Sequence, residues 1–452
     1  MALRDLGVPD RVVSQDKSAA RTLNFLQELL RGYRPRNFSV ELWDGTQWEP
    51  EPGQFRRFGW KIKRPGALRS ALAISNLANS STVALAEAYI YGDFDLDGDI
   101  EGVFPLADYL LSSPWTKRQK LRLSALLLGL PAGGGPRPVR PGEKLHGRLH
   151  SRERDRAAVS YHYDLSNDFY ALWLDKEMVY SCAYFLKPDD DLETAQRQKL
   201  DYICRKLRLK AGERLLDIGC GWGGLVMHAA REYGVNALGI TLSRQQFELA
   251  EDRIQRAGLS GRCQVKLLDY RDIAEAASFD KAVSIGMVEH VGESNLLEYF
   301  TAAFKALRPG GVFLNHGIGV PEKRFRSQGT TFGDLYVFPD GEMVPIGEIT
   351  HAAELAGFEV RDVENLREHY ALTLRHWVRS LEQHSEQARR LVDEVTFRIW
   401  RLHMAGSAHY FQTGKLDLYQ TLLVKSDNGR SGLPLTRDDW YARYQRDEGW
   451  SP

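Results

Sequence analysis

The sequence predicts an α/β fold: a mostly parallel sheet flanked by helices, preceded by a smaller α+β domain. Three observations carry this. At 452 residues the chain exceeds what one ordinary core organises, so two domains are expected. Beyond residue 156, short runs rich in Val, Ile and Leu alternate with amphipathic stretches. Residues 215–224 read L-L-D-I-G-C-G-W-G-G, an apolar run ending in an aspartate and then four glycines in six positions. Such a strand stops in a sharp turn and lets backbone press against a ligand, with the helix that follows aiming its amino end at the same place.

The elements follow in order. A helical pattern over residues 18–33 leads into extended stretches at 38–42 and 60–63, joined by the turn-rich D-G-T-Q-W-E-P-E-P-G. A second helical pattern covers 79–91. The next string, G-D-F-D-L-D-G-D at 92–99, opens like a calcium loop, but Gly102 stands where its closing glutamate belongs. It reads as a surface loop with helix-capping acids, and no metal site is expected. Residues 130–156 are too rich in Pro and Gly for an element interior, and residues 137–156 carry seven Lys/Arg against three Asp/Glu. Just upstream, W-T-K-R-Q-K-L-R-L (115–123) sets basic charge beside apolar anchors. This is either a solvated face or a surface for an anionic membrane, where each cation contributes about 1 kcal/mol. Strands are expected at 214–218, 236–240, 264–268, 281–285 and 312–315, with helices at 225–233, 244–257 and 296–307 between them. The domains therefore run 1–130, a linker 131–156, 157–425 and a tail 426–452.

Bulk properties exclude several classes. Sixty basic residues balance sixty acidic ones, so net charge suggests no polyanion and no nucleic acid as partner. Four cysteines without paired spacing fit a reducing cytoplasm. The first ten residues lack the apolar core of a signal peptide, and no apolar run approaches the roughly 20 residues of a membrane span.

Gly219, Gly221 and Gly224 satisfy the dinucleotide pattern G-x-G-x-x-G, which then needs an acid about twenty positions on. The second strand ends G-I-T-L-S instead. Asp217 lies inside the glycine motif, where a carboxylate can anchor a positively charged ligand, and Asp269-Tyr270 offers an acid and an aromatic for an adenine ring. These features favour S-adenosylmethionine over nicotinamide.

Six motifs then occur in order: Y-H-Y-D-L-S-N-D-F-Y (161–170), Y-S-C-A-Y-F (180–185), L-D-I-G-C-G-W-G-G, G-I-T-L-S-R-Q-Q (239–246), S-I-G-M-V-E-H-V-G (284–292) and L-R-P-G-G (307–311). Together they resemble the cyclopropane-fatty-acyl-phospholipid synthases and their relatives, the mycolic acid cyclopropane synthases, densely over residues 155–425. The resemblance implies a Rossmann-like class I methyltransferase domain with a mostly parallel seven-stranded sheet, beside a lipid-engaging amino-terminal domain. It implies methylene transfer from S-adenosylmethionine to a cis double bond of a phospholipid acyl chain, with bicarbonate as proton acceptor. Methyl or methylene branching of the chain is the alternative product. The bicarbonate would be held by Cys182, Glu289, His316, Tyr370 and the backbone at Ile318. The cofactor would meet Tyr180 and Ser181, the backbone at Gly219, Gly221 and Gly223, then Asp217, Thr241, Leu242, Gln246, Asp269 and Tyr270. Gln246 would make the ribose contact that an acid usually makes. A homodimer, cytoplasmic and bound peripherally to the membrane's inner face, is also implied.

Taken singly, these residues have other readings: Cys182 a buried thiol, Glu289 an exposed helix start, His316 a satisfied histidine, Tyr370 core. The chain also departs from the family pattern. Ser407 stands where relatives often have cysteine, so no nucleophilic role is assigned there. Asn315 and Gly317 flank His316 where leucine and threonine are common. The tail D-D-W-Y-A-R-Y-Q-R-D-E-G-W has no assigned role.

Overall fold

The computed structural model describes residues 16–441, apart from 73–82, 113–114, 133–146, 164, 274–276 and 326–330. Most of the predicted linker lies outside the described residues. The chain divides into two compact units, Met1–Pro141 with Glu394–Leu402, and Gly142–Asp393 with His403–Pro452.

The first unit opens with the helix Lys17–Leu29, whose first turn is capped by the Asp16 carboxylate accepting from the Ser18 amide at 2.7 Å. Its sheet has the order β2-β1-β3-β4, from β1 (Phe38–Glu41), β2 (Gln47–Trp48), β3 (Phe58–Ile62) and β4 (Phe94–Gly98). β1 and β3 are parallel, whereas the other pairs are antiparallel. β4 corrects the sequence reading of a loop at 92–99. Phe94 and Leu96 point inward and are buried, while Asp95 and Asp97 point outward to cations: Lys63 and Arg398 for Asp95, Arg56 and Lys61 for Asp97. The two-residue alternation of a strand was present, but Asp and Gly are poor strand formers and hid it. Only Asp99 caps a helical turn, through the Glu101 amide.

In the second unit a seven-stranded sheet has the order β10-β11-β9-β8-β5-β6-β7. The strands are β5 (Arg214–Ile218), β6 (Asn236–Thr241), β7 (Cys263–Leu267), β8 (Phe279–Ile285), β9 (Leu307–Gly319), β10 (Glu359–Asn365) and β11 (Asp417–Val424). β9-β8-β5-β6-β7 are parallel, and β11 and β10 add antiparallel. Successive β5 residues face opposite layers, so Leu215 enters one apolar cluster and Leu216 the other. The strand order reverses between β5 and β8, which leaves a crevice at their carboxyl ends.

Two boundaries differ from expectation. The helix Arg152–Tyr163 begins inside the predicted linker, and two of its cations are engaged, Arg152 with Asp272 and Arg154 with Asp340. At the other end, Trp440 is buried in the core cluster beneath β5, where Lys206, Arg208 and Arg437 lie 5.2–5.5 Å from its ring. Arg208 binds Asp439 through two bonds, and the Arg205 guanidinium donates to the Trp440 carbonyl.

Candidate active site

The crevice is a cavity at the ends of β5, β6 and β8. Its wall includes Tyr180, Ser181, Asp217, Gly219, Gly221, Thr241, Leu242 and Gln246. The chain leaves β5 through Gly219, Gly221 and Gly223 with φ of 86°, 54° and 83°, a backbone that side-chain-bearing residues seldom adopt. The helix Gly224–Tyr233 follows and presents its amino end to the cavity at Gly224. At the end of β6 the Thr241 hydroxyl donates to Gln246 Oε1 at 2.8 Å, which turns the amide NH2 of Gln246 into its donor edge. Gly223, Asp269 and Tyr270 do not line the cavity. Gly223 packs against Ala250, Asp269 is held by Arg271 through both oxygens, and the Tyr270 ring stands edge-on to Tyr299.

Lys199, Trp222 and His290 line the cavity and escaped sequence reading, as did Gln196, which supports the wall from behind. Lys199, on the helix Leu192–Lys206, is 1% exposed and donates to Ser181 Oγ at 2.9 Å. Gln196 on the same helix donates to the Val179 and Ser181 carbonyls and so fixes the Y-S-C segment. Trp222 and His290 also line the wall. Helical spacing of Gln196 and Lys199 was visible in A-Q-R-Q-K, but nothing in the sequence marked that face as inward.

Burial governs the electrostatics. Asp217 is 2% exposed, and its Oδ1 has no hydrogen-bond partner among the described residues. Loss of water pushes its carboxyl up to about 7, against the pull of Lys199. The same effect lowers Lys199 to about 8, with Asp175, Cys182 and Asp217 opposing. Two buried, opposite and imperfectly satisfied charges thus face one cavity.

A second cluster surrounds Glu289. Burial raises its carboxyl to about 7; Oε1 accepts from the Ile318 amide at 2.6 Å, and Oε2 has no partner among the described residues. His316 and Ile318 lie within β9, which extends four residues beyond the predicted strand. His316 is buried, its Nδ1 is 3.1 Å from Gln420 Nε2, and its Nε2 has no partner among the described residues. Burial and the fields of Lys199 and Lys206 hold it well below the usual histidine range. Cys182 is fully buried, which drives its thiol upward, and Sγ donates towards the Ala183 and Leu366 carbonyls. The Leu366 carbonyl also accepts from the Tyr370 amide at 3.2 Å, and the Leu366 amide donates to Leu418, the β11 partner of Ile318. Cys182 and Tyr370 therefore share the Leu366 carbonyl, Glu289 holds the Ile318 amide, and β11 pairs with β9 at Ile318 and His316. Tyr370 packs its ring on Phe411 at 4.6 Å and on Trp377.

Residues 150–421 match the family model described as mycolic acid cyclopropane synthetase. The chain belongs to this family. Residues 25–113 match a domain family of unknown function. A probable fatty acid methyltransferase of Pseudomonas putida is 42% identical over 406 residues, covering 89% of this chain and 95% of its own. The cyclopropane-fatty-acyl-phospholipid synthase of Escherichia coli strain K12 is 36% identical over 289 residues, covering 64% and 72%. Among solved structures, a mycolic acid cyclopropane synthase complexed with SAH and CTAB is 34% identical with a TM-score of 0.56, covering 59% of this chain and 97% of that one. The seven-stranded domain of this family member is thus an S-adenosylmethionine-dependent methyltransferase fold.

Proposed function

We propose that the protein transfers a methylene group from S-adenosylmethionine to the cis double bond of a phospholipid acyl chain, giving a cyclopropane. The observation that carries the reading is the pair of buried orphan atoms, Glu289 Oε2 and His316 Nε2, set in a site otherwise closed to water. A buried polar atom left unpaired costs on the order of 1–3 kcal/mol, so a small polar ligand that satisfies both is favoured. A neutral Glu289 can donate to an anion, and its raised carboxyl suits that role. Bicarbonate fits this donor set, with Cys182, the backbone at Ile318 and Tyr370 around it. When bound, S-adenosylmethionine supplies an electrophilic methyl group and bicarbonate a proton acceptor. Asp217 Oδ1 and Lys199 suit the ammonium and carboxylate of a methionine end. Tyr180 and Ser181 adjoin them. Gln246 and Thr241 suit the ribose, with Gly219 and Gly221 giving close backbone approach and Leu242 in the wall, while Gly223 shapes the turn, and Asp269 and Tyr270 stand behind the wall and support it rather than touch the cofactor. The remaining work of the chain is exclusion: Trp173, Trp222 and Trp377 are buried side chains around the site, and a dry enclosure protects a developing positive charge from water.

Among the described residues no helix is long and apolar enough to cross a membrane. The helix Lys117–Leu128 supports a peripheral contact at the membrane's cytoplasmic face: Leu121 and Leu128 are exposed on it beside Lys117, Arg118, Lys120 and Arg122. A homodimer belongs to the same proposal.

Purified protein with unsaturated phospholipid vesicles and methyl-labelled S-adenosylmethionine is expected to put label into lipid, and unlabelled lipid would sink the idea. Glu289→Gln keeps the fold and loses most activity. A second reading, methyl or methylene branching of the chain, is favoured by the similarity to the Pseudomonas putida fatty acid methyltransferase. The products are isomeric in part, so NMR of the extracted acyl chains decides between them.

A further inference from the structure

We propose that Gln420 is a positioning residue that holds His316 as the Nε2–H tautomer, so that a neutral imidazole donates into the anion site. The inference rests on the proposed function for its purpose but not for its test. β9 and β11 are antiparallel, and His316 and Gln420 are directly opposed in register. Opposed residues share a face, so their side chains meet. Gln420 Nε2 lies 3.1 Å from His316 Nδ1, and both residues are essentially inaccessible to solvent. An amide nitrogen only donates, so Nδ1 must accept, and the ring proton then resides on Nε2. That proton has no acceptor among the described residues. A buried donor without an acceptor is costly, and an anion beside it removes the cost. Lys199 and Lys206, both on the helix Leu192–Lys206, add positive fields that oppose a second ring proton. The ring therefore stays neutral, and the choice that remains is between its two tautomers. Register pairing with Gln420 makes that choice. Two residues further along β9, the Ile318 amide is committed to Glu289, so the strand supplies its second contact to the same region.

The test is NMR of protein labelled with 15N in its histidine rings, without ligands, with the His316 signal assigned by its loss in His316→Gln. The expected pattern is a protonated Nε2 and a bare Nδ1. A protonated Nδ1, as the opposite rotation of the Gln420 amide would produce, overturns the proposal on the unaltered protein. In Gln420→Glu, a carboxylate can only accept, so the ring proton is expected to move to Nδ1. Activity at limiting bicarbonate should then fall by at least about tenfold, because a lone pair faces the anion. Gln420→Met removes the hold and should give mixed tautomers with the cavity filled. Unchanged tautomer in both variants would overturn the positioning role. Correct tautomer with no lipid labelling would instead remove only the proposed function.

Discussion

Lys199 and Asp217 face one cavity with opposite charges, and neither has its full set of partners among the described residues. A ligand end bearing both an ammonium and a carboxylate completes the pair. Lys199→Met is therefore expected to weaken binding of S-adenosylhomocysteine by roughly 10- to 100-fold, the worth of a charge-assisted bond. Binding of methylthioadenosine, which lacks the amino-acid end, should hardly change; calorimetry with both ligands reads the difference. Equal weakening of both would show that Lys199 only supports the wall. Asp217 was legible in the sequence because it stands inside a glycine motif. Lys199 was not, because one lysine on an amphipathic helix looks like any solvated cation until the helix is docked. Glu289 and Cys182 were legible only through the motifs around them, since an acid beside a histidine and a lone thiol have ordinary alternatives.

At the scale of elements, β9 and the short helix Val288–Val291 are pressed together at Gly317. A Cβ there would lie 2.2 Å from Val288 Cγ1, beside the residue that carries the Glu289 carboxylate. Gly317→Ala is expected to cost about 1–3 kcal/mol by overpacking and to lower activity more than stability, because the shift falls on Glu289. Denaturant midpoints and turnover measured on the same sample test this, and an unchanged turnover refutes it. The aromatic tail is similarly tied to one element. Trp440 fills a site among three cations on the helix Leu192–Lys206 and its surroundings, so Trp440→Ala should destabilise the protein by about 3–5 kcal/mol, read from the urea midpoint. The sequence left this tail unassigned because a tryptophan after the last strand carries no period. β4 was missed for the opposite reason: its period was intact, but its residue types argued against a strand.

For the whole molecule, burial sets the response to acid. Seven histidines (His162, His228, His290, His316, His369, His376 and His403) are lowered, chiefly by desolvation. In the unfolded chain each takes a proton below about pH 6.5, and in the folded one it does not. Their contribution is whole above pH 6.5 and is lost as pH falls towards 4, where His290 and His403 titrate. Asp175, Asp217, Glu289 and His150 are raised and act in the opposite sense. Seven against four predicts a lower urea midpoint at pH 5 than at pH 7, and equal midpoints would contradict it. The parallel sheet was readable from alternating apolar runs, which a strand buried on both faces requires. The membership of residues 394–402 in the first unit was not, because sequence order gives no hint of it.

Those nine residues bring Arg398 and Arg401 to the first unit, where they donate to the Tyr89 and Leu96 carbonyls and to the Tyr89 hydroxyl. During synthesis, β4 therefore leaves the ribosome long before its arginine partners exist. About 260 residues separate Pro141 from the end of this segment. At ~5–20 residues per second, the first unit waits roughly 13–50 s for its last piece. Translation pace is therefore expected to set how long the unit stands without its two arginine contacts.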